Sequence, residues 1–216
     1  SGKNRRNPRL VRRLGYVLGE RGELVLPEGL DRLDAQIQQF HDRGIDVLCI
    51  NGGDGTIHQV MTALYRTYGA EPLPKIALLK GGTMNTTARN IGIGSNAETM
   101  LGKVVSGYHS GEMFSIVERN MLIVDGTKAG FIYGGGGIAT FLRAYYDRGA
   151  GPWVAATLLV RASFSVLIRG SFARGLFPEI PMHVTLDGHA LPLEHQTFFG
   201  VSTVADLGLG FRAFYR

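Results

Sequence analysis

Four apolar residues, Val47-Leu48-Cys49-Ile50, run directly into Asn51-Gly52-Gly53-Asp54-Gly55-Thr56. Apolar positions then recur at Ile57, Val60, Met61, Leu64, Tyr65 and Tyr68, three and four residues apart. The run reads as a buried strand and the spacing as one face of a helix, so the chain turns a strand–loop–helix corner here. An Asp-Gly pair can also close a hairpin between alternating strands, but the helical spacing that follows favours the corner. Glycines let backbone N–H groups approach an anion closely. A helix start adds unpaired donors and a positive dipole end. Asp54 would repel a bare phosphate. Its carboxylate suits a magnesium-bound nucleotide, or a hydroxyl that needs orienting or deprotonating. A purely structural turn is the plainer alternative, and the local context favours phosphate over it.

A second corner follows. Lys75 to Leu79 reads as another short buried strand, Lys80-Gly81-Gly82-Thr83-Met84-Asn85 as its glycine loop, and Thr86 to Ile91 as a helix. Two such corners about thirty residues apart have the spacing of a βαβ unit in a parallel sheet. Loops after successive parallel strands gather at the carboxyl ends of those strands, where open α/β sheets bind ligands. Both loops can therefore face one nucleotide. Taken alone, the second loop reads as a helix-capping turn with Thr83 or Asn85 as the cap.

Together, Gly52-Gly53-Asp54-Gly55-Thr56 and Gly81-Gly82-Thr83-Met84-Asn85-Thr86-Thr87-Ala88-Arg89 resemble the two nucleotide-binding signatures of the diacylglycerol kinase catalytic domain family. That family includes bacterial lipid kinases and sphingosine and ceramide kinases, and it is related to the NAD kinases, which share the first motif. The resemblance covers about the first 95 residues. The opening Ser1-Gly2-Lys3-Asn4 is similar to the end of the family's first loop, as though the chain were cut within it. The resemblance implies that Ser1, Gly2, Lys3 and Asn4 close over the phosphates of ATP. It implies that Gly52, Gly53, Asp54, Gly55, Thr56, Gly82, Thr83 and Asn85 hold nucleotide, and that Asp54 assists Mg2+ or the acceptor hydroxyl as the catalytic residue. The metal ligands stay unassigned. Lys80 stands where the second motif usually has Pro, and Thr86 where it usually has Asp. The family also carries a late Asp-Gly-Glu segment with the general base, whereas Asp187-Gly188 is followed here by His189. The expectation is a fragment with weak turnover of its own.

Composition sets the outer bounds. A chain of 216 residues, 44% hydrophobic and 19% charged, can bury a sizeable core in one or two domains and is not disordered. Its single cysteine, Cys49, forbids an internal disulfide and fits a reducing compartment. The polar, Arg-rich start is no signal peptide. Of the net charge of +5, Arg5, Arg6, Arg9, Arg12 and Arg13 crowd the opening segment, where Pro8 suits a first helical turn. Such a surface could hold triphosphate, anionic lipid or nucleic acid, or simply be solvated. Without interleaved aromatics it lacks the stacking signature of single-strand binding, and no nucleic-acid partner is expected.

The pattern changes near residue 112. Before it, strands and helices alternate, including a helix on Leu30, Leu33, Ile37 and Phe40 that Gly44 should stop. After it, Ser115 to Val124 and Lys128 to Tyr133 flank Asp125-Gly126, while His183 to Leu186 and Ala190 to Leu193 flank Asp187-Gly188, both as hairpins. The expected organisation is an α/β domain with a parallel sheet over 1–111, of the NAD kinase and diacylglycerol kinase type. A partial, β-rich and partly helical lipid-substrate domain follows over 112–216.

Trp153 to Leu167 is strongly apolar but is interrupted by Arg161, short of the ~20 residues that span a bilayer. A packed amphipathic helix is the favoured reading, over one dipping into a membrane interface. Gly134, Gly136 and Ala139 fit a dinucleotide fingerprint, yet no acidic partner follows at the right distance, and close backbone packing explains the glycines. The histidines show no zinc spacing, and no G-x-S-x-G elbow occurs.

The sequence therefore points to an ATP- and Mg2+-dependent lipid kinase acting on a hydroxyl of diacylglycerol or a related lipid at a membrane surface. The alternatives are an NAD kinase-like enzyme and a non-catalytic nucleotide- or lipid-binding module. The expected location is cytoplasmic, with peripheral membrane association left open.

Overall fold

A computed structural model describes residues 7–82, 85–112, 114–149, 152–168, 170–192 and 194–205. The apolar run becomes strand β1 (Val47–Ile50), and Lys75–Leu78 forms β2 beside it in parallel, with Val47 opposite Lys75 and Ile50 opposite Leu78. Helix α1 (Pro8–Leu18) and helix α2 (Leu30–Asp42) precede β1, and α3 (Asp54–Tyr68) makes the crossover to β2. Then come α4 (Thr86–Asn90), α5 (Ala97–Ser110) and the hairpin β3 (Leu122–Val124) and β4 (Lys128–Gly130). A parallel pair needs such a crossover, and a helix supplies it here.

Strand alternation divides the core into two clusters. Leu48 and Ile50 face Ile37 and Phe40 of α2 and Ile57, Val60, Met61 and Leu64 of α3. Cys49 faces the opposite way, toward Leu14 of α1 and Leu101 of α5. Helices thus cover both faces of the pair, as parallel sheets require. Among the described residues β1 pairs with β2 alone. Val47, Leu48 and Cys49 also line a cavity of about 550 Å3 with Leu24, Val25 and Leu26 of the loop before α2.

Local signals end the helices where expected. Asn7 caps α1, its Oδ1 accepting from the Leu10 N–H at 3.1 Å, with Pro8 at the first helical position. Gly44, at φ 60°, follows α2 in the left-handed region, and its N–H donates to the His41 carbonyl. Both Asp-Gly pairs form tight hairpin turns, with φ 52° and 63° at Asp125 and Gly126 and 50° and 82° at Asp187 and Gly188.

His41, in the last turn of α2, ties that helix to the loop after α3. Its Nε2 lies 3.1 Å from Glu71 Oε2 and its Nδ1 3.4 Å from Asp42 Oδ1. The bond to Glu71, then that to Asp42, raises the imidazole above its ordinary 6.5. A raised folded-state value adds stability that is fully present below 6.5 and lost as pH climbs through the higher folded value. Stability should therefore fall between mildly acidic and mildly basic pH, and His41→Gln should flatten that fall. Chemical denaturation of both proteins at several pH values checks this; parallel curves would contradict it.

Packing divides the chain into two units, one running to Phe131 with the stretch from Ser202, the other Ile132–Val201. The β3–β4 hairpin, although β in sequence character, belongs with the first because Ala129 buries itself in the α2–α3 cluster. Of the stretch read as Ser115 to Val124, only Leu122–Val124 is a strand, and 114–121 joins no ladder among the described residues. The second unit holds β5 (Ile132–Gly136), α6 (Gly137–Asp147), α7 (Pro152–Leu167) and α8 (Ser171–Leu176). The short strands β6 (Ile180–Pro181), β7 (Val184–Leu186), β8 (His189–Leu191), β9 (His195–Gln196) and β10 (Phe198–Ser202) follow. β5 pairs with β10, β6 with β9 and β7 with β8. The glycine run of β5 serves close packing: a Cβ on Gly135 would overlap the Phe199 ring. The apolar segment forms α7 as a helix, but it is not a packed one: most of its apolar side chains are exposed. No described helix is long and apolar enough to cross a membrane.

Candidate nucleotide site

The first loop joins β1 to α3. Gly53 is the N-cap of α3, with extended backbone and no capping side chain, so the helix start presents its dipole end without a cap. Gly52 is buried, and a Cβ there would press into the Thr56 side chain. Only glycine admits so tight a turn.

The second loop lies directly against the first. A Cβ on Gly81 would overlap Asn51 Oδ1 and come within 2.8 Å of the Gly52 nitrogen. A Cβ on Gly82 would overlap Gly53 Cα and come within 3.0 Å of the Gly53 nitrogen. The two glycine loops therefore touch backbone to backbone. Asn85 fixes the second one. Its Oδ1 accepts from the Gly82 N–H at 2.8 Å and its Nδ2 donates to the Gly82 carbonyl at 3.0 Å. Asn85 itself sits at φ 50°, a left-handed conformation that Asn tolerates better than most residues.

Asp54 is the bridge between the loops. Its Oδ2 accepts from the Thr86 N–H at 3.1 Å, and its Oδ1 accepts from the Thr87 N–H at 3.0 Å and the Thr87 hydroxyl at 3.1 Å. The first residue of α3 thus serves the start of α4. A carboxylate has about four acceptor sites, so three bonds leave room for roughly one more partner.

The next turns of α3 are held by the hairpin. His58 Nδ1 lies 2.9 Å from the Ala129 carbonyl oxygen, and Thr62 Oγ1 both donates to that oxygen and accepts from the Ala129 N–H. α3 is thereby anchored along its length, which keeps its N-terminus in place. Beside it opens a cavity of about 400 Å3, lined by Leu26, Pro27, Asn51, Gly55 and Thr56 and by Gln36. Gln36 Nε2 is buried with no hydrogen-bond partner among the described residues. Cys49 also lines this cavity, but burial pushes its thiol up to about 11, so it stays protonated and unreactive at neutral pH.

The structure brings together Gly52, Gly53, Asp54, Gly55, Thr56, Gly82 and Asn85 of the residues expected from sequence. Ser1, Gly2, Lys3, Asn4 and Thr83 lie outside the described residues. Sequence reading included Asn51, Gly81 and Thr87 in the two loop motifs but gave them no role of their own, and it did not single out Gln36. Thr86 and Thr87 carried a faint signal, hydroxyl residues at a helix start, but their acceptor lies more than thirty residues upstream. No group of three or more His, Cys, Asp or Glu among the described residues could hold a metal ion by itself.

Two strand–glycine–helix corners packed together form the loop end of a parallel α/β unit, where ligands of open α/β sheets bind. The sequence model of the diacylglycerol kinase catalytic domain matches residues 1–112, and the chain belongs to that family. It is 33% identical over 96 residues to a Stenotrophomonas maltophilia (strain K279a) protein named "Probable lipid kinase YegS-like", covering 43% of this chain and 31% of that one. A protein of the same name from Citrobacter koseri is 28% identical over 109 residues, covering 50% of this chain and 36% of that one. The chain thus spans about a third of the length of these curated relatives. Among solved structures, a diacylglycerol kinase from Bacillus anthracis str. Sterne shares the fold with a TM-score of 0.57 at 18% identity, over 88% of this chain and 55% of that one.

Proposed function

We propose that this chain supplies the nucleotide-binding part of an ATP-dependent lipid kinase, which transfers a phosphoryl group to a hydroxyl of diacylglycerol or a related lipid. The observation that carries this reading is the uncapped N-terminus of α3 lying against the second glycine loop. A helix N-terminus of this kind offers backbone N–H donors and a positive dipole end to an anion. The cavity bearing Gln36 is of a size that takes a ligand of nucleoside dimensions.

The residues present fit a magnesium ion held mainly by phosphates and water, because Asp54 retains about one acceptor site for it. Such an ion would neutralise phosphate charge. The chain's own part is positioning: the glycine backbones hold the phosphates, Asn85 keeps the second loop in place, and Asp54 orients what reaches it. The enzyme would work from the cytoplasm, where ATP is supplied, on lipid at a membrane surface.

The test uses labelled ATP and the polypeptide that carries this chain, with diacylglycerol in mixed micelles in one arm and NAD in the other. Labelled lipid is expected, and NADP formation without labelled lipid would overturn the reading. Gly55→Ala sharpens the test. A Cβ there meets nothing within 4 Å, so the fold should tolerate it, while phosphate approach should suffer and ATP affinity fall about tenfold or more. Unchanged affinity would remove the phosphates from this loop.

A further inference from the structure

Helix α7 points to a membrane-facing surface. Its buried positions, Leu158, Ala162 and Ser165, lie on one side. On the opposite side Trp153, Val160, Phe164 and Leu167 recur at helical spacing and are 85%, 70%, 62% and 80% exposed. A helix apolar on both sides is unfavourable in water unless something covers it. At 1.5 Å per residue its 16 residues run about 24 Å, short of the ~30 Å hydrocarbon core, so it can lie on a bilayer but not cross one.

Charge identifies the cover. From Gly137 to Leu176 the sequence holds Arg143, Arg148, Arg161, Arg169 and Arg174 against a single acid, Asp147. Arg161 stacks over the Phe172 ring at 4.3 Å, linking α7 to α8, and Arg143 on α6 and Arg148 just after it are exposed. A second copy would set this positively charged stretch against its like. An anionic lipid surface complements it, and a tryptophan beside aliphatic residues suits the headgroup boundary. We infer that the exposed face of α7, carried on this arginine-rich stretch of chain, docks onto anionic membranes. This rests on the lipid-kinase reading for its purpose, though not for its geometry, and assigns the docking surface to the second unit.

Trp153 is the chain's only tryptophan, so its emission reports on the face directly. Vesicles of phosphatidylcholine with phosphatidylglycerol should shift the emission to the blue and sediment the protein, with added salt weakening both. Vesicles of phosphatidylcholine alone should do so far less. Trp153→Ser with Phe164→Ser should lower vesicle partitioning about tenfold or more, as followed by sedimentation, and leave ATP affinity unchanged. Val160→Ser with Leu167→Ser should do the same while retaining the Trp153 signal. Emission indifferent to anionic vesicles, unchanged partitioning in both variants, or a Trp153 buried by self-association or by the remainder of a longer polypeptide would each overturn the inference. Vesicle binding without any lipid phosphorylation would instead sink the kinase reading and leave the surface standing.

Discussion

Gly82→Ala is expected to destabilise the first unit by about 3 kcal/mol, at the upper end of what overpacking ordinarily costs. The new methyl would overlap Gly53 Cα and crowd Asn85 Oδ1 at 2.8 Å. Neither neighbour can step aside: one is backbone in the other glycine loop, and the other is the amide that brackets Gly82 itself. The loops must separate, so nucleotide affinity should collapse together with stability. Gly55→Ala, in the same site, should be neutral or stabilise by about 0.5–1 kcal/mol, since alanine suits a helix better than glycine. Urea unfolding of the two variants decides the matter. A wild-type midpoint for Gly82→Ala would mean that the two loops do not touch.

Asp54→Ala should cost about 2–4 kcal/mol. It strands the N–H groups of Thr86 and Thr87, both on buried residues, and the Thr87 hydroxyl as well, each with its own desolvation penalty. Asp54→Asn keeps one acceptor oxygen and nearly the same volume, so its loss should be about half as large. Amide hydrogen exchange at Thr86 and Thr87 should accelerate in the alanine variant, and unchanged exchange would show that the carboxylate does not hold α4. Loss of turnover in Asp54→Ala therefore mixes chemistry with collapse of the loop. Asp54→Asn, compared at equal folded fraction, is the fairer measure of catalytic participation.

What the sequence conveyed was what is decided locally. The apolar run became β1 over the same four residues, Lys75 began β2, and the helix after the second loop began at Thr86. Each rests on signals within a few positions: an apolar run, glycines, a periodic face. The partners of Asp54 were not legible, because its carboxylate bonds residues more than thirty positions away and no spacing rule links them. Gln36 was hidden for the same reason, since only the fold brings that residue to the cavity by Thr56. The stretch from Phe114 to Met121 has the composition of a strand but finds no ladder partner among the described residues, and pairing, unlike propensity, is not a local property. On α7 the helical period was readable, whereas which side would be covered depends on what packs against it.

Lys80 sets the path of the backbone into the second loop. Its φ of 42° lies in the left-handed region, which costs a residue with a Cβ roughly 1–2 kcal/mol. The family's second motif usually carries proline at this position, and a pyrrolidine ring holds φ near −65°. Lysine and proline are therefore not interchangeable here: each demands its own path for the backbone leading into Gly81 and Gly82. Lys80→Pro would pull the backbone at this position off its observed path. Consensus engineering, which favours the commonest family residue as a stabilising replacement, would choose badly at this position. Glycine, the residue that accepts the observed backbone without strain, is the change that the geometry recommends.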